Sequence, residues 1–374
     1  MSLLSQPAAR IVHTESSLDW GGQQIRILSE SQGMMRRGHE VRLICPAHAP
    51  IHAHAASWGV PAVALPIAKR RPAGLRALVA WLRANRSDVV NTHSPADAWL
   101  AALALALLGR PVPVVRTRHT SAPVPRGPLC RWLYMRAAAR VVTTCEATKR
   151  QLVDRNGYVE SRIDSVPTGI DAGRFRPGER KASRARFGLP QDRTLVGIVA
   201  TLCSWKAHDF LIDAMTLLPE KVELVIVGDG PRRGALEQRI AKLGLRGRVR
   251  MQGQQADVLP WLRALDIFAL PSYANEGVPQ ALVQAMLVGL PCVTTPVGGI
   301  PELAEHERTA LLVTPRDPPA LAAALGRLAD NEALRRELGE AARKRCVEDY
   351  SYERMLERME AIYLGVSGRR GAVP

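Results

Sequence analysis

Short runs of β-branched and other apolar residues recur along the first half of the chain, and each is followed by a longer amphipathic stretch. Six such runs, RIVHTE, EVRLIC, AVALP, DVVNTHS, PVVRTRH and RVVTTCE, lie at residues 10–15, 40–45, 62–66, 88–94, 113–119 and 140–146. Strands that alternate with helical stretches are typical of βαβ units. The pattern therefore predicts an α/β domain with a parallel sheet.

The same alternation restarts after a polar, charged stretch at residues 172–193, which we interpret as a linker. The second series of predicted strands lies at residues 194–201, 222–230, 249–254, 266–272, 291–297 and 310–315. We expect two Rossmann-like, doubly wound domains that face each other across a cleft. The predicted N-terminal domain is 1–172 plus about 350–374, and the predicted C-terminal domain is 173–349.

From Pro318 onward the sequence has helical periodicity, and the last predicted helix is strongly amphipathic. Its apolar positions are spaced as one helix face: Tyr352, Met355, Leu356, Met359, Ile362 and Tyr363. A stripe of this kind has to be buried against another element.

Length and composition fit a folded protein of two domains. A chain of 374 residues is too long for one typical core, and its apolar content of 47% is ordinary. The six cysteines are scattered without a C-x-x-C pair, which favours a reducing cytoplasm. Residues 1–10 lack the pattern of a signal peptide, and the longest uncharged apolar run, 98–109, is too short to span a bilayer. We therefore expect a cytoplasmic location.

The formal net charge of +16 is unevenly distributed. Residues 41–145 contain fourteen Lys or Arg and two acids, Asp88 and Asp97, so this part carries +12 and the rest of the chain carries +4. A basic face attracts polyanions such as nucleic acid, an anionic membrane surface or a phosphorylated lipid. A general preference for arginine is the alternative, since only seven of the 51 cations are lysine, but it does not explain the shortage of acids.

The segment 271–302, PSYANEGVPQALVQAMLVGLPCVTTPVGGIPE, places the carboxylate Glu276 at a turn between a buried strand and a helix. Open α/β sheets bind ligands at the carboxyl ends of their strands. We expect the Glu276 carboxylate to be exposed toward the cleft, where it accepts hydrogen bonds from hydroxyl groups. The N–H groups of Gly277 and Val278, at the N-terminus of the next helix, are expected to face a phosphate. The alternative is an ordinary surface glutamate at a helix start.

Lys206 lies between a predicted strand, VGIVATL, and a predicted helix, KAHDFLIDAM. Its ammonium group is therefore expected at the carboxyl end of the strand, where it can neutralise a diphosphate. The alternative is a solvated lysine at a helix start, which the helix dipole disfavours.

Two histidines end neighbouring predicted strands of the first domain. His119 closes PVVRTRH, and His93 closes DVVNTHS and competes with it for a ligand-binding role. A glycine pair, Gly21 and Gly22, follows the first strand, so that backbone can approach a ligand closely there; a simple tight turn explains it equally well.

These segments resemble the retaining, nucleotide-sugar-dependent glycosyltransferases of family 4, which have the GT-B fold and carry two glutamates eight positions apart. Glu276 matches the first glutamate, and Gln284 occupies the second position. Where similar enzymes have Gly-Arg-Leu before the lysine, this chain has Ala200, Thr201 and Leu202. The resemblance covers nearly the whole chain and implies that the last helix crosses back onto the N-terminal domain.

The resemblance also implies the roles of the site residues. His119 and Glu276 are expected to act on the donor sugar; Lys206, Thr201, Gly277, Val278 and Gly22 on the donor diphosphate; and Gln284 and Gln254 on the ribose and base. A sugar would move from a nucleoside diphosphate to an acceptor hydroxyl with retention, and the departing phosphate oxygen would take the acceptor proton. No protein nucleophile, metal or other cofactor is implied.

Two basic segments with apolar residues suit an anionic membrane surface. One is 67–86, IAKRRPAGLRALVAWLRANR, and the other combines Arg126, Arg131 and Arg136 with residues 132–134. We expect Arg70, Arg71, Arg126 and Arg131 to contact the acceptor or the membrane. The resemblance implies a lipid-linked saccharide acceptor, such as lipopolysaccharide core, a peripheral location at the inner face of the membrane, and no nucleic-acid partner. A core-facing helix with solvated arginines is the alternative.

Two other functions remain open at this point. A nucleotide-sugar epimerase of GT-B fold would need further acid and base residues. A non-catalytic protein that binds membranes or nucleic acid would explain the basic face together with Thr201 and Gln284.

Overall fold

The computed structural model describes residues 9–368, and the described residues form two compact units. The N-terminal unit extends to Pro167 and includes the chain again from Glu353, and the C-terminal unit is Thr168–Tyr352. The ends of the predicted N-terminal domain, residues 1–8 and 369–374, lie outside the described residues. The assignment of one domain to the acceptor and one to the donor stays a prediction, because compactness does not identify a ligand.

The N-terminal unit contains a parallel seven-stranded sheet with the order β3-β2-β1-β4-β5-β6-β7. Its strands are β1 (Arg10–Thr14), β2 (Glu40–Cys45), β3 (Ala62–Ala64), β4 (Val89–Thr92), β5 (Val114–Arg118), β6 (Ala138–Thr143) and β7 (Ile163–Ser165). The strand order reverses between β1 and β4, and both strands are buried over nearly their full length. Open sheets of this type bind ligands beside such a reversal.

Helices connect these strands and cover the sheet. They are α1 (Gly22–Arg36), α2 (Pro50–Ala55), α3 (Pro72–Ala84), α4 (Pro95–Leu108), α5 (Pro128–Trp132) and α6 (Glu146–Asn156). Helix α4 begins with a capping box in which Ser94 and Asp97 satisfy each other's backbone N–H groups. Helix α3 packs against α4, and Leu78 and Leu82 of α3 belong to the buried core beside the sheet.

The C-terminal unit contains a parallel six-stranded sheet with the order β10-β9-β8-β11-β12-β13. Its strands are β8 (Thr194–Val199), β9 (Val222–Val227), β10 (Val249–Met251), β11 (Ile267–Leu270), β12 (Cys292–Thr294) and β13 (Leu311–Leu312). The order reverses between β8 and β11. The predicted α/β class with two Rossmann-like parallel sheets is therefore confirmed.

The helices of this unit are α7 (Arg180–Arg186), α8 (His208–Met215), α9 (Arg233–Lys242), α10 (Leu259–Ala264), α11 (Gln280–Val288), α12 (Ile300–Leu303), α13 (Pro318–Asp330) and α14 (Glu332–Asp349). Helix α11 follows β11 directly and ends at Gly289, which has a left-handed conformation. Glycine adopts this conformation without strain, and it is a common way to end a helix.

The last helix, α15 (Tyr352–Val366), packs onto the N-terminal unit, as predicted. Met355, Met359 and Tyr363 of its apolar stripe are completely or almost completely buried. The Tyr363 hydroxyl accepts a hydrogen bond of 2.6 Å from the Asn91 side chain in β4 and donates one to the Glu30 carboxylate in α1. The helix therefore closes the core of a unit that begins more than 300 positions earlier.

The segment 172–193, which we interpreted as a linker, contains the helix α7. This helix packs against α10, so the interpretation is wrong for this part of the segment. Arg184 is buried in this helix and forms a salt bridge of 2.5 Å with Asp266. The guanidinium also donates to the backbone carbonyl of Ala264 at 2.8 Å. A buried arginine needs such partners, and because a sequence with several charges looks like a solvated loop, its pattern did not indicate a packed helix.

Candidate active site

The carboxyl ends of β8 and β11, where the second sheet reverses its order, bring two predicted site residues into contact. The Lys206 ammonium donates to the Glu276 carboxylate at 2.6 Å. The Glu276 side chain is 6% exposed and the Lys206 side chain is 19% exposed. The prediction of an exposed Glu276 carboxylate is therefore wrong, because the adjacent strand ends pair it with the lysine. Together they place a positive charge and an acceptor for hydroxyl groups side by side.

The backbone around Glu276 is held by the glycine run that begins the loop before α12. Gly298 has φ +59°, and an added Cβ would lie 2.0 Å from the Glu276 carbonyl oxygen. The N–H of Gly299 donates to the same oxygen at 3.3 Å. Only glycine fits at position 298, so the GGIPE run of the sequence supports the turn that carries Glu276.

Lys206 lies in a different local structure from the predicted one. It ends a 3-10 turn, Ser204–Lys206, and α8 begins at His208 after Ala207, which has φ 60°. The N–H of Tyr273, just after β11, donates to the Trp205 carbonyl at 2.9 Å. This bond connects the lysine turn to the strand end that leads to Glu276.

Gly277 and Val278 precede α11, which begins at Gln280 with Pro279 as its N-cap residue. The prediction placed these two residues at the N-terminus of the helix. In the structure they lie just before it. Gln284 is half-buried on α11. Thr201 is exposed just after β8, and Gln254 is exposed just after β10, so both lie beyond the carboxyl ends of their strands.

Arg232 is a cation near Lys206 that the sequence analysis missed. Its N–H donates to the Leu202 carbonyl at 3.0 Å, and its side chain lies 3.7 Å from the Asp209 carboxylate. Burial, together with the charges of Lys206 and Arg232, lowers the pKa of His208 to about 3. The GDGPRR run after β9 was the available signal.

In the N-terminal unit, three histidines from neighbouring strands form one hydrogen-bonded row. Nδ1 of His13, in β1, lies 2.9 Å from Nε2 of His93, and Nδ1 of His93 lies 2.9 Å from Nε2 of His119. Burial lowers the pKa of His13, and it lowers the pKa values of His93 and His119 well below the usual range. The two competing histidines of the sequence analysis therefore belong to one arrangement, which also contains His13.

A pair of buried carboxylates, Glu15 and Asp97, lies at the end of β1 and the start of α4 and was also missed. Asp97 accepts side-chain hydrogen bonds from Thr14 at 2.9 Å and from Ser16 at 2.8 Å. Glu15 accepts a hydrogen bond of 2.5 Å from the Ser94 hydroxyl. Burial raises the pKa of Glu15 to about 7, with a further contribution from the charge of Asp97. The polar ending of RIVHTE was the only signal for this group.

An open depression of about 830 Å³ lies beside these strand ends within the N-terminal unit. It is lined by residues of the loop after β1, the basic segment before α3 and the start of α4: Ser16, Ser17, Leu18, Asp19, Gln23, Ala68, Lys69, Arg70, Arg71, Ser94, Pro95 and Ala96. Gly22, the first residue of α1, is exposed next to this loop. Arg70 and Arg71 therefore border a concave surface with polar groups, as an anionic ligand requires.

The structure corrects the prediction that the segment 67–86 lies on a membrane with its apolar face. Leu78 and Leu82 are buried in the core, and Trp81 packs against the same core. The arginines of α3 face solvent because the apolar stripe is already occupied by α4. The core-facing alternative is therefore the correct one for this helix.

The arginines of the second basic segment also bond to the protein itself, which the prediction did not include. Arg126 donates to the Arg155 carbonyl at 2.8 Å, and Arg131 donates to the Gly157 carbonyl at 3.0 Å. Leu133 and Tyr134 are buried, so they cannot contact a membrane. Leu129 on α5 is 70% exposed, and two further exposed leucines lie on α4, where Leu103 is 40% and Leu107 is 69% exposed. Trp99, one turn before them, stacks on Trp132.

Within residues 9–368, no three His, Cys, Asp or Glu side chains are grouped so that they could hold a metal ion. No helix in the same part of the chain is long and apolar enough to cross a membrane.

Two family models match the chain. Residues 20–174 match the model described as Glycosyltransferase Family 4, and residues 193–331 match the model described as Glycosyl transferases group 1. The first match includes His93 and His119, and the second includes Lys206 and Glu276.

Similar proteins have names of the same kind. The chain is 32% identical to a D-inositol 3-phosphate glycosyltransferase of Nocardioides sp. over 288 residues, which cover 68% of the chain and 62% of that protein. It therefore spans less than two thirds of the length of this relative. A D-inositol 3-phosphate glycosyltransferase of Xylanimonas cellulosilytica is 29% identical over 95% of the chain and 94% of its own length.

A solved structure shares the fold. Anabaena Alr3699/HepE in complex with UDP-glucose superposes with a TM-score of 0.85 at 21% identity and covers 96% of the chain and 100% of that structure.

Proposed function

Since the chain belongs to the glycosyltransferases, with a Family 4 domain and a group 1 domain on a GT-B fold, we propose that it moves a glycosyl group from a nucleoside-diphosphate sugar to an acceptor hydroxyl with retention of configuration. The observation that carries this proposal is the contact of 2.6 Å between Lys206 and Glu276 at the carboxyl ends of β8 and β11. A sugar diphosphate needs a cation for its phosphates and an acceptor for its hydroxyls at neighbouring positions, and this pair supplies both.

Lys206 neutralises the diphosphate, assisted by the N–H groups of Gly277 and Val278 that precede α11. Glu276 accepts hydrogen bonds from the hydroxyl groups of the donor sugar. Because the cation stabilises the departing phosphate, its oxygen can take the proton of the acceptor hydroxyl while the new glycosidic bond forms on the same face. The protein then needs no nucleophile of its own.

The remaining donor contacts are assigned to the residues that the family resemblance indicates. Gln284, half-buried on α11, binds the ribose hydroxyls, since an amide can accept one hydrogen bond and donate another. Gln254, just after β10, contacts the base, and Thr201, just after β8, contacts the diphosphate. His119 contacts the donor sugar. UDP-glucose is the first donor to test, because the Anabaena protein was solved in complex with it.

The acceptor site in this proposal is the depression in the N-terminal unit. Lys69, Arg70 and Arg71 line one side of it, and Ser16, Ser17 and Asp19 line another. Cations beside hydroxyl and carboxylate groups suit an acceptor that carries both phosphate and hydroxyl groups. That class includes an inositol phosphate, which the names of the relatives indicate, and the phosphorylated saccharide of a lipopolysaccharide core.

A lipid-linked acceptor would bring the protein to the inner face of the membrane as a peripheral, cytoplasmic enzyme. Leu103 and Leu107 on α4, with Arg110 just after the helix, give this proposal a surface. Exposed apolar residues beside cations are typical of interfacial contacts. Binding to vesicles with anionic lipids, and its loss in the double variant Leu103→Gln/Leu107→Gln, tests this part separately from catalysis.

Transfer assays with Glu276→Ala and Glu276→Gln test the enzymatic proposal. UDP-glucose and a panel of other nucleotide sugars are supplied with inositol phosphate or with a lipopolysaccharide core acceptor. We expect kcat/KM to fall by roughly 10²-fold or more in both variants, because a preorganised group at the reacting sugar is lost. Glu220→Ala, an exposed residue of the same unit, is the control. Rates equal to those of the control would contradict the proposal.

The two rival functions give different outcomes in the same assays. Conversion of a nucleotide sugar without any acceptor would indicate an epimerase. Vesicle binding without transfer from any donor would indicate a non-catalytic membrane protein.

A further inference from the structure

The row formed by His13, His93 and His119 has the geometry of two in-plane hydrogen bonds. The centroids of each neighbouring pair lie 5.2 Å apart while the facing nitrogens lie 2.9 Å apart, a difference of about one imidazole ring diameter. The ring planes of His13 and His93 differ by 13°, and those of His93 and His119 differ by 35°. The rings therefore meet edge to edge, with the nitrogens pointing at each other.

Each of these bonds needs one nitrogen with a proton and one without. A neutral imidazole has one of each, so fixing the proton of one ring fixes the protons of the other two. Two arrangements are possible. In one, the protons point inward, His119 donates from Nε2, and its Nδ1 is bare. In the other, the protons point outward and His119 carries its proton on Nδ1.

The charges around the row differ between its two ends. At the inner end, the ring of His13 contacts Tyr363 edge to face, and the Tyr363 hydroxyl is hydrogen-bonded to the Glu30 carboxylate. At the outer end, Arg116 and Arg118 of β5 precede His119 in the same strand. The buried Arg26 of α1 forms a salt bridge of 3.5 Å with Glu30, and its charge lowers the pKa values of all three histidines.

Because Arg26 offsets the charge of Glu30, the arginines at the outer end decide the balance, and they favour protons that point inward. The inner Nε2 of His13 has no hydrogen-bond partner in the described structure, so it is unpaired in both arrangements and does not decide between them. Nδ1 of His119 likewise has no partner among residues 9–368, which leaves it available to a ligand.

We propose that His13 and His93 are positioning residues that hold His119 as the Nε2–H tautomer, so that its bare Nδ1 accepts a hydrogen bond from a hydroxyl group of the donor sugar. The inference about the ligand rests on the proposed function, whereas the inference about the tautomer rests on the row alone. The pKa values of the three rings, which burial lowers, keep the row neutral near pH 7.

Nitrogen-15 NMR of the full chain with labelled histidine tests the tautomer directly. The signals of His119 are assigned by their loss in His119→Asn. We expect Nδ1 without a proton and Nε2 with one in the wild-type protein. A proton on Nδ1 of His119 would overturn the proposal without any variant of the row.

The variant His13→Phe distinguishes a positioning role of His13 from a merely structural one. It removes the acceptor for the His93 Nε2 proton, so His93 is expected to move its proton to Nδ1 and to force the opposite tautomer on His119. His13→Asn is expected to restore the wild-type pattern, since its amide oxygen can replace Nδ1 as acceptor. The exposed His48→Phe is the control. If His13→Phe folds and the His119 signals stay unchanged, the proposal is wrong.

Kinetics connects the tautomer to the reaction. We expect kcat/KM to fall roughly tenfold in His13→Phe and to recover to within about twofold in His13→Asn, as for other partners that orient a histidine. If the wild-type protein shows no transfer with any donor, the proposed function is contradicted. The NMR result on the tautomer would still hold. Normal kinetics in a His13→Phe variant with the inverted tautomer would contradict the hydroxyl contact.

Discussion

The two units place polar side chains at the same topological position and use opposite means to keep them there. In the C-terminal unit, opposite charges meet in the pair of Lys206 and Glu276. In the N-terminal unit, the row of His13, His93 and His119 is kept neutral by burial. Both groups lie where the strand order reverses. The comparison shows that the topology selects the place, while the surrounding charges select the chemistry.

A physical reason explains the difference. A buried charge is tolerated only when it has a partner, and a charged pair can still exchange that partner for a charged ligand. A neutral row has directional hydrogen bonds without a strong field, which suits hydroxyl groups. The C-terminal pair is therefore suited to a charged ligand and the N-terminal row to hydroxyl groups.

The largest effect is expected from Lys206→Met, which removes the charge and keeps the length of the side chain. Transfer is expected to fall by roughly 10²- to 10³-fold in kcat/KM, because the cation at the departing phosphate is lost. The free energy of unfolding of the C-terminal unit should fall by about 3 kcal/mol, since the Glu276 carboxylate is left buried without its partner. Steady-state kinetics and chemical denaturation measure the two effects.

Lys221→Met is the matched control, because Lys221 forms an exposed ion pair with Asp330 in the same unit. If both lysine variants behave alike, the C-terminal site does not depend on a paired charge, and the contrast between the units disappears.

The next effect concerns Glu15, whose pKa is raised to about 7 by burial. A raised pKa in the folded state means that the contribution of Glu15 to stability is complete below its unfolded value near 4.5 and is lost as the pH rises through about 7. The loss amounts to about 3 kcal/mol. Glu15→Gln should remove it, so the difference in stability between variant and wild type should grow from pH 5 to pH 8.

Only the difference between the two proteins is informative here. The buried histidines have lowered pKa values and act in the opposite direction, since their contribution is lost as the pH falls below about 6.5. Thermal unfolding of the wild type and of Glu15→Gln from pH 5 to pH 8 measures this difference in stability. If the stability of the two proteins changes with pH in the same way, the N-terminal unit does not raise the pKa of Glu15.

A smaller gain is expected from Thr201→Arg, which adds the arginine that similar enzymes have at this position. One more charge-assisted hydrogen bond to the diphosphate should tighten donor binding by roughly tenfold. Thr216→Arg, at the exposed other end of α8, is the control for added charge. Equal affinities in calorimetric titration with nucleoside diphosphates would indicate that Arg232 already supplies the second cation.

The smallest effect is expected from Gln284→Glu. A carboxylate should strengthen the contact with the ribose hydroxyls and increase donor affinity by only a few fold, because the amide already accepts one hydrogen bond. Gln238→Glu on the exposed face of α9 controls for the change in charge. Unchanged affinity for the donor would contradict the ribose contact.

The sequence predicted the two sheets because each strand is a short apolar run and each run carries its own signal. Twelve of the thirteen strands in the described residues lie within predicted runs or overlap them. The exception is β7, which has only three residues. Helix α7 was missed because its buried arginine is polar in sequence and paired only in the folded chain.

Individual residues of the candidate site could be predicted from the sequence. The contacts between them could not. Lys206 and Glu276 were each indicated by a local strand-to-helix transition, yet their contact joins positions 70 residues apart. The histidine row joins positions 80 and 26 residues apart, and no local period relates them. His13 lies inside an apolar run and Glu15 just after it, so both looked like ordinary strand residues.

The position of helix α15 has a consequence for the order in which the protein folds during synthesis. The C-terminal unit is one continuous stretch, Thr168–Tyr352, and leaves the ribosome before the helix that completes the N-terminal unit. Until Tyr363 emerges, Asn91 and Glu30 lack the hydroxyl that joins them. We therefore expect the part synthesised first to reach its native state last, which reverses the usual order for a nascent chain of two domains.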